Sequence, residues 1–224
     1  MKRKIVISLA IILFCLGFVS YQNYTSKRNI TFYKGLPVNY THATFAYDTS
    51  TLPKAIGSSD YAFLCKVNKI IRTEYKNPVE VEVDTENTKI VYDPYTVYSI
   101  TVVKNIKGNL QTDSEIELLQ YGGINYDKKS YTFLEGSEYL SEGEYYVLMP
   151  DAMSEKGEIE VADKNKIFPI GNDIDLEKTK SGENILSKFS QALKNQEIPL
   201  TAEGKKIKNN YASKYDIKYV NESK

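Results

Sequence analysis

Tryptophan is absent from this chain, histidine occurs once and cysteine only twice. Each scarcity removes a class of chemistry. A Ser-His-Asp or Cys-His arrangement needs a histidine held beside its nucleophile, and the one available, His42, lies in a polar stretch that reads as a stalk. Cys15 falls inside an apolar run, so Cys65 has no intramolecular partner and no disulfide framework holds the fold. One histidine and one cysteine outside that run cannot fill the tetrahedral shell of an ordinary zinc site. Cys65 reads as a small buried hydrophobe, with no basic cluster beside it to make its thiol reactive. Excess charge is missing too, because 29 basic residues balance 29 acidic ones. Phosphate binding needs a concentrated basic surface, so nucleic acid is not an expected partner. Gly122-Gly123 lacks the Lys-Ser/Thr context of a P-loop. No cofactor is expected.

There is one long apolar run. Met1, Lys2, Arg3 and Lys4 form a basic head before residues 5–19, so the head stays cytoplasmic and everything after residue 20 is exported. The run is shorter than the roughly 20 residues of a comfortable membrane helix, which favours a cleaved signal peptide. Against cleavage, Phe18 would sit three residues before a cut after Ser20, and a cut after Gly17 leaves a short apolar core. A lipid anchor on Cys15 lacks the small residues such a site needs, since Ile12, Leu13 and Phe14 precede it. Residues 1–20 are therefore expected to be a signal anchor, with a signal peptide as the alternative. The cell membrane is then a partner through this segment.

Residues 21–57 are polar and weakly periodic, with Pro37 and Pro53, and read as a stalk carrying a strand at residues 44–47. Strand patterns crowd residues 58–170. Phe63, Cys65 and Val67 alternate with Leu64, Lys66 and Asn68. Val79, Val81 and Val83 alternate with Glu80, Glu82 and Asp84, and residues 89–92 can return antiparallel. That predicts a protruding hairpin with one apolar and one acidic face. Tyr98, Ile100 and Val102 alternate along a central strand, Gly108 supplies a positive φ in the turn that follows, and Ile116 and Leu118 resume the pattern until Gly122-Gly123. Residues 131–134, 145–149 (stopped by Pro150), 159–161 and 166–170 complete the strands. Ile185, Leu186, Phe189, Ala192 and Leu193 line one face of a helix over residues 182–195, capped by Ser181, within a C-terminal segment 171–200. The tail, 201–224, is rich in Lys, Asn and Tyr and is expected to be loosely ordered.

Few residues are candidates for chemistry. Asp173, Asp175 and Glu177 alternate and offer calcium oxygen ligands, yet the glycine and distal glutamate of an EF-hand are absent and acids also suit a helix N-terminal end. No carboxylate pair stands out for hydrolysis among 29 acids. An interaction surface is better supported. Glu80 and Glu82 mark the hairpin, while Tyr121, Tyr126 and Tyr131 gather around Gly122-Gly123, and tyrosine joins apolar area to a hydroxyl.

The succession of residues 59–67, 95–108, 116–123 and 142–149, with a Lys107-Gly108 turn, the Gly122-Gly123 break and a Gly143-Glu144-x-Tyr146 strand start, resembles small extracytoplasmic bacterial domains similar to the OB-fold barrel of netrin and tissue-metalloproteinase-inhibitor modules. The resemblance implies a mainly β chain: an antiparallel OB-like barrel of five or six strands, here with an N-terminal membrane helix and a C-terminal amphipathic helix. It does not carry protease inhibition, because the N-terminal Cys-x-Cys that chelates zinc is missing. The expected function is a membrane-tethered, non-enzymatic interaction module at the bacterial cell surface, binding an envelope protein or wall polymer. A hydrolase or transferase acting on the envelope, and a secreted effector or immunity-type factor, are the alternatives.

Overall fold

A computed structural model describes residues 35–84, 87–153, 156–172, 180–207 and 209–218. The chain is mainly β, built on a curled seven-strand half-barrel sheet. Its strands are β1 (Val38–Thr41), β2 (Ala62–Glu82), β3 (Thr88–Lys107), β4 (Glu115–Tyr121), β5 (Gly123–Ile124), β6 (Tyr131–Leu134), β7 (Tyr145–Leu148), β8 (Asp151–Met153), β9 (Glu158–Val161) and β10 (Ile167–Gly171). Among the described residues two α-helices, α1 (Leu52–Gly57) and α2 (Lys180–Lys194), accompany them. The large sheet runs β10-β7-β2-β3-β4-β9-β8, and a small one runs β1-β6-β5. β4 and β9 pair in parallel, unlike the all-antiparallel expectation, because several strands intervene between them.

Alternation along β2 explains how the body is layered. Phe63, Cys65 and Val67 point into one core with Tyr98, Ile100 and Val102 of β3 and Ile116 and Leu118 of β4. Ala62 and Leu64 point the other way, into a second core with Val147 and Met149. A strand buried on both faces loses the usual apolar-polar alternation. Each large apolar side chain fully withdrawn from water contributes about 1.5–3 kcal/mol.

The second core is roofed by helices. Phe189 and Ala192 of α2 are buried there beside Ala55 and Ile56 of α1, and Phe168 meets Phe189 edge to face with ring centres 5.2 Å apart. The apolar stripe read from the sequence is the face that packs. α1 was not expected, since residues 21–57 read as a stalk. A one-turn helix is too short to show a 3.6-residue period, and its burial depends on a helix more than a hundred residues away in sequence. Gly57 sits so close to the end of α2 that a Cβ there would lie 2.0 Å from the Glu197 carbonyl oxygen. The predicted strand also moves, from residues 44–47 to β1, which pairs in parallel with β6.

Residues 209–218 of the tail belong to the body as well. Tyr61 donates from its hydroxyl to Asp216 (2.8 Å) and accepts the Ser213 N–H (2.8 Å), and Leu110 bridges to Asp216. Ser213 is fully buried. This corrects the loosely ordered tail for those residues. The N-terminal run, Asp173, Asp175 and the final residues lie outside the described residues. Among the described residues no helix is long and apolar enough to cross a membrane.

Candidate functional site

Five exposed aliphatic side chains gather on one projection. β7 pairs with β2 only over residues 63–66, and β4 pairs with β3 only over residues 96–101. Beyond those contacts, among the described residues, β2 and β3 pair with each other alone, apart from a bridge from Tyr95 to Gly122 at the base. They leave the body as a two-stranded arm. Val79, Val81, Val83, Ile90 and Val91 are all exposed on it, Val83 to 64%. Bulges absorb the irregular sequence on the way out: the register shifts between Lys76 and Val79, where Asn77 has φ 52° and donates to Asp93. At the tip, Asp84 accepts from the backbone and side chain of Asn87, and Thr88 donates to Glu80 at 2.6 Å.

Residues opposite one another in an antiparallel ladder share a face. Val79 faces Val91 and Val81 faces Lys89, which gives a largely apolar side. Glu80 faces Ile90 and Glu82 faces Thr88 on the other. The predicted acidic face is therefore interrupted by Ile90, whose side is set by a register the sequence does not display. Glu80 and Glu82 are exposed, as a contact residue must be.

Tyrosines and charges brace the base of the arm. Tyr126, 61% exposed, packs on Tyr75 (5.2 Å) and Tyr92 (4.8 Å) from the two arm strands. Lys128 lies over the Tyr75 ring and hydrogen-bonds its hydroxyl. Tyr121 is half-buried, edge-on to Tyr95 at 5.4 Å. Arg72 grips Glu117 through both guanidinium nitrogens (2.7 and 3.0 Å) and so holds that carboxyl below its usual range. Tyr75 and Tyr92 were not among the candidate surface residues: Tyr75 lies outside the period-two runs, and Tyr92 reads only as the last residue of the returning strand 89–92.

Gly122 and Gly123 are not part of the surface. Both are buried, with φ 112° and 147°, and hand the chain from β4 in the large sheet to β5 in the small one. A Cβ on Gly122 would come within 2.6 Å of the Phe133 ring, and one on Gly123 within 2.6 Å of Thr96 Oγ1. They shape the base of the arm.

A second feature is concave. The end of α1, β8, Tyr47, Ile198, Pro199, Lys206, Ile207 and Asn209 line a cleft of about 650 Å³ that holds Asp60, Asp151 and Lys107. A smaller apolar hollow of about 240 Å³ adjoins it past Tyr47 and Met153 and contains Glu160. Burial pushes the Glu160 carboxyl up to about 7, against the pull of Lys76. Its cross-strand partner Asp151 is also raised by burial and is held by Lys166 at 2.8 Å. No sequence signal linked these residues, which come from five separate parts of the chain.

The remaining candidates are inert in their settings. Cys65 is fully buried and its thiol is pushed up by desolvation. His42 is exposed and lies 2.8 Å from Glu135. Among the described residues no three His, Cys, Asp or Glu side chains group closely enough to hold a metal. Compared with known proteins, the chain matches no family model and shows no significant similarity to any curated protein.

Proposed function

We propose that the chain is an exported, membrane-tethered, non-enzymatic interaction module of the bacterial cell surface, and that its arm binds an envelope protein by pairing with an extended segment of it. One observation carries the reading: among the described residues the arm leaves long strand edges unpaired while exposing β-branched side chains on both faces. Such an edge is a template for strand addition, and proteins without a partner for it normally shorten or cover it. The arm's exposed Glu80 and Glu82 favour a partner strand that alternates apolar and basic residues. The basic head and apolar run of residues 1–19 support the tether.

The finer architecture fits the same reading. β2, β3 and β4 form a meander, β9 lies parallel to β4, β8 is antiparallel to β9, and β7, separated from β8 only by Met149-Pro150, is antiparallel to β2. Taking β7 and β8 as one bent strand, the pairing follows the ring of an OB-like barrel of five principal strands. In OB barrels the loop between the first two strands helps to bind ligands. The arm occupies that loop's place.

A photo-crosslinking residue at position 81 of the full-length chain, in intact cells, tests the proposal. A discrete adduct at Val81 that is lost in Ile90→Lys and in the paired change Glu80→Lys with Glu82→Lys supports it. Uniform labelling, or an adduct indifferent to those changes, contradicts it. Membrane fractionation of the same cells tests the tether.

A further inference from the structure

The cleft beneath α1 has an uneven balance of hydrogen bonds. Its acids are satisfied: Asp60 accepts the Ala152 N–H at 2.9 Å and the Asn209 amide, while Asp151 accepts the Asp60 N–H at 3.1 Å and Lys166 Nζ at 2.8 Å. Its cations are not. Lys107, half-buried at the end of β3, donates one hydrogen bond, to the Ile56 carbonyl at 2.7 Å, and forms no ion pair among the described residues. An ammonium carries three N–H groups, so two donors remain for the cleft. Lys206 stands at the rim, exposed and likewise without an ion pair among the described residues. Tyr47, Met153, Ile198, Pro199 and Ile207 supply apolar walls.

We infer that this cleft is a binding site for a small amphiphilic monocarboxylate, with its carboxylate on Lys107 and its apolar chain against Tyr47, Met153 and Ile198. A half-buried ammonium with no direct ion pair bears a desolvation cost that the carboxylates of Asp60 and Asp151 offset only in part, and an arriving anion relieves the rest. The depressed basicity of Lys107, caused by burial and opposed by Asp60 and Asp151, reflects that cost. Asp60 and Asp151 stand close enough to act on Lys107, so they would repel a dianionic phosphate more than a single carboxylate. The volume of about 650 Å³ lies within the range of about 300–1,000 Å³ found for small-ligand sites. The site is separate from the arm and goes beyond the proposed function.

The test is calorimetric titration of the full-length chain in nanodiscs with hexanoate, against its neutral isostere hexanamide, with empty nanodiscs as the blank. Hexanoate is expected to bind at least tenfold more tightly than hexanamide. Lys107→Gln should weaken hexanoate at least tenfold, and Lys206→Gln two- to threefold. With methionine methyl groups labelled, the half-exposed Met153 should shift on binding while buried Met149 stays still, and an unchanged Met149 signal certifies that each variant is folded. Should Lys107→Gln not fold, Met153→Trp, which fills the mouth of the cleft, must abolish binding. Equal binding of hexanamide, hexanoate affinity that survives Lys107→Gln or Met153→Trp, or no heat at millimolar hexanoate overturns the inference.

Discussion

β2 and β3 each live two lives. Over residues 62–65 β2 is buried on both faces, between a core of β side chains and a core roofed by α1 and α2. Over residues 95–100 β3 is buried on both faces, with Tyr98 and Ile100 in the first core and Tyr95 and Val97 packed with Leu119 on the other side. Over residues 77–82 and 88–91 the same two strands, equally rich in β-branched residues, are exposed on both faces. Both halves carry a strand pattern, a nearly continuous apolar run in the body and a Val-Glu alternation in the arm. What differs is the cover: β4, β7 and the helices end before the arm begins. Strand propensity makes a strand, and neighbours decide whether its apolar face becomes core or contact.

The comparison predicts opposite costs for similar truncations. Phe63→Ala in the body should lose about 3–5 kcal/mol, because it removes a fully buried ring and leaves a cavity. Val81→Ala in the arm should change stability by less than about 0.5 kcal/mol. Denaturant unfolding followed by tyrosine fluorescence, clean in a chain without tryptophan, measures both. Equal costs would mean that the arm is packed in a way the exposures deny.

Glu160 gives a smaller, pH-dependent effect. Burial pushes its folded value up to about 7, above the ordinary 4.5 of a glutamate, so the native state holds the extra proton. Its contribution to stability is full below about pH 4.5 and declines as pH rises through 7. Lys76 opposes the shift, while Asp151, Glu158 and Asp93 reinforce it. Glu160→Gln should therefore match the parent at pH 4 and exceed it by about 2 kcal/mol at pH 8, allowing for partial solvent screening. A constant difference across that range would contradict the assignment.

The sequence displayed what is local and hid what is distant. The strands of the body, the apolar stripe on Phe189 and Ala192, and the Gly108 turn (φ 82°) were legible from period and turn chemistry. The continuity of the arm with the body was not, because Arg72, Lys76, Asn77 and Pro78 look like a break until bulges carry the ladder past them. Residues 35–57 and 209–218 looked like linker and tail. Their anchors, Thr49 on Asp163 and Asp216 on Tyr61, join residues more than a hundred positions apart. The cleft was hidden for the same reason. Of the residues read as a surface, Glu80, Glu82 and Tyr126 are exposed, whereas Gly122 and Gly123 are buried, because a turn glycine in sequence carries no sign of its burial.

The central claim is that the arm is a contact element attached to a body that folds without it. Lys76 and Asp93 are cross-strand partners at the base, so residues 77–92 can be replaced by Asn-Gly, a two-residue hairpin turn. Thermal unfolding of this shortened full-length chain should occur within a few degrees of the parent, and the envelope adduct formed through the arm should vanish. A shortened chain that unfolds, or one that still captures the same partner, would contradict the account.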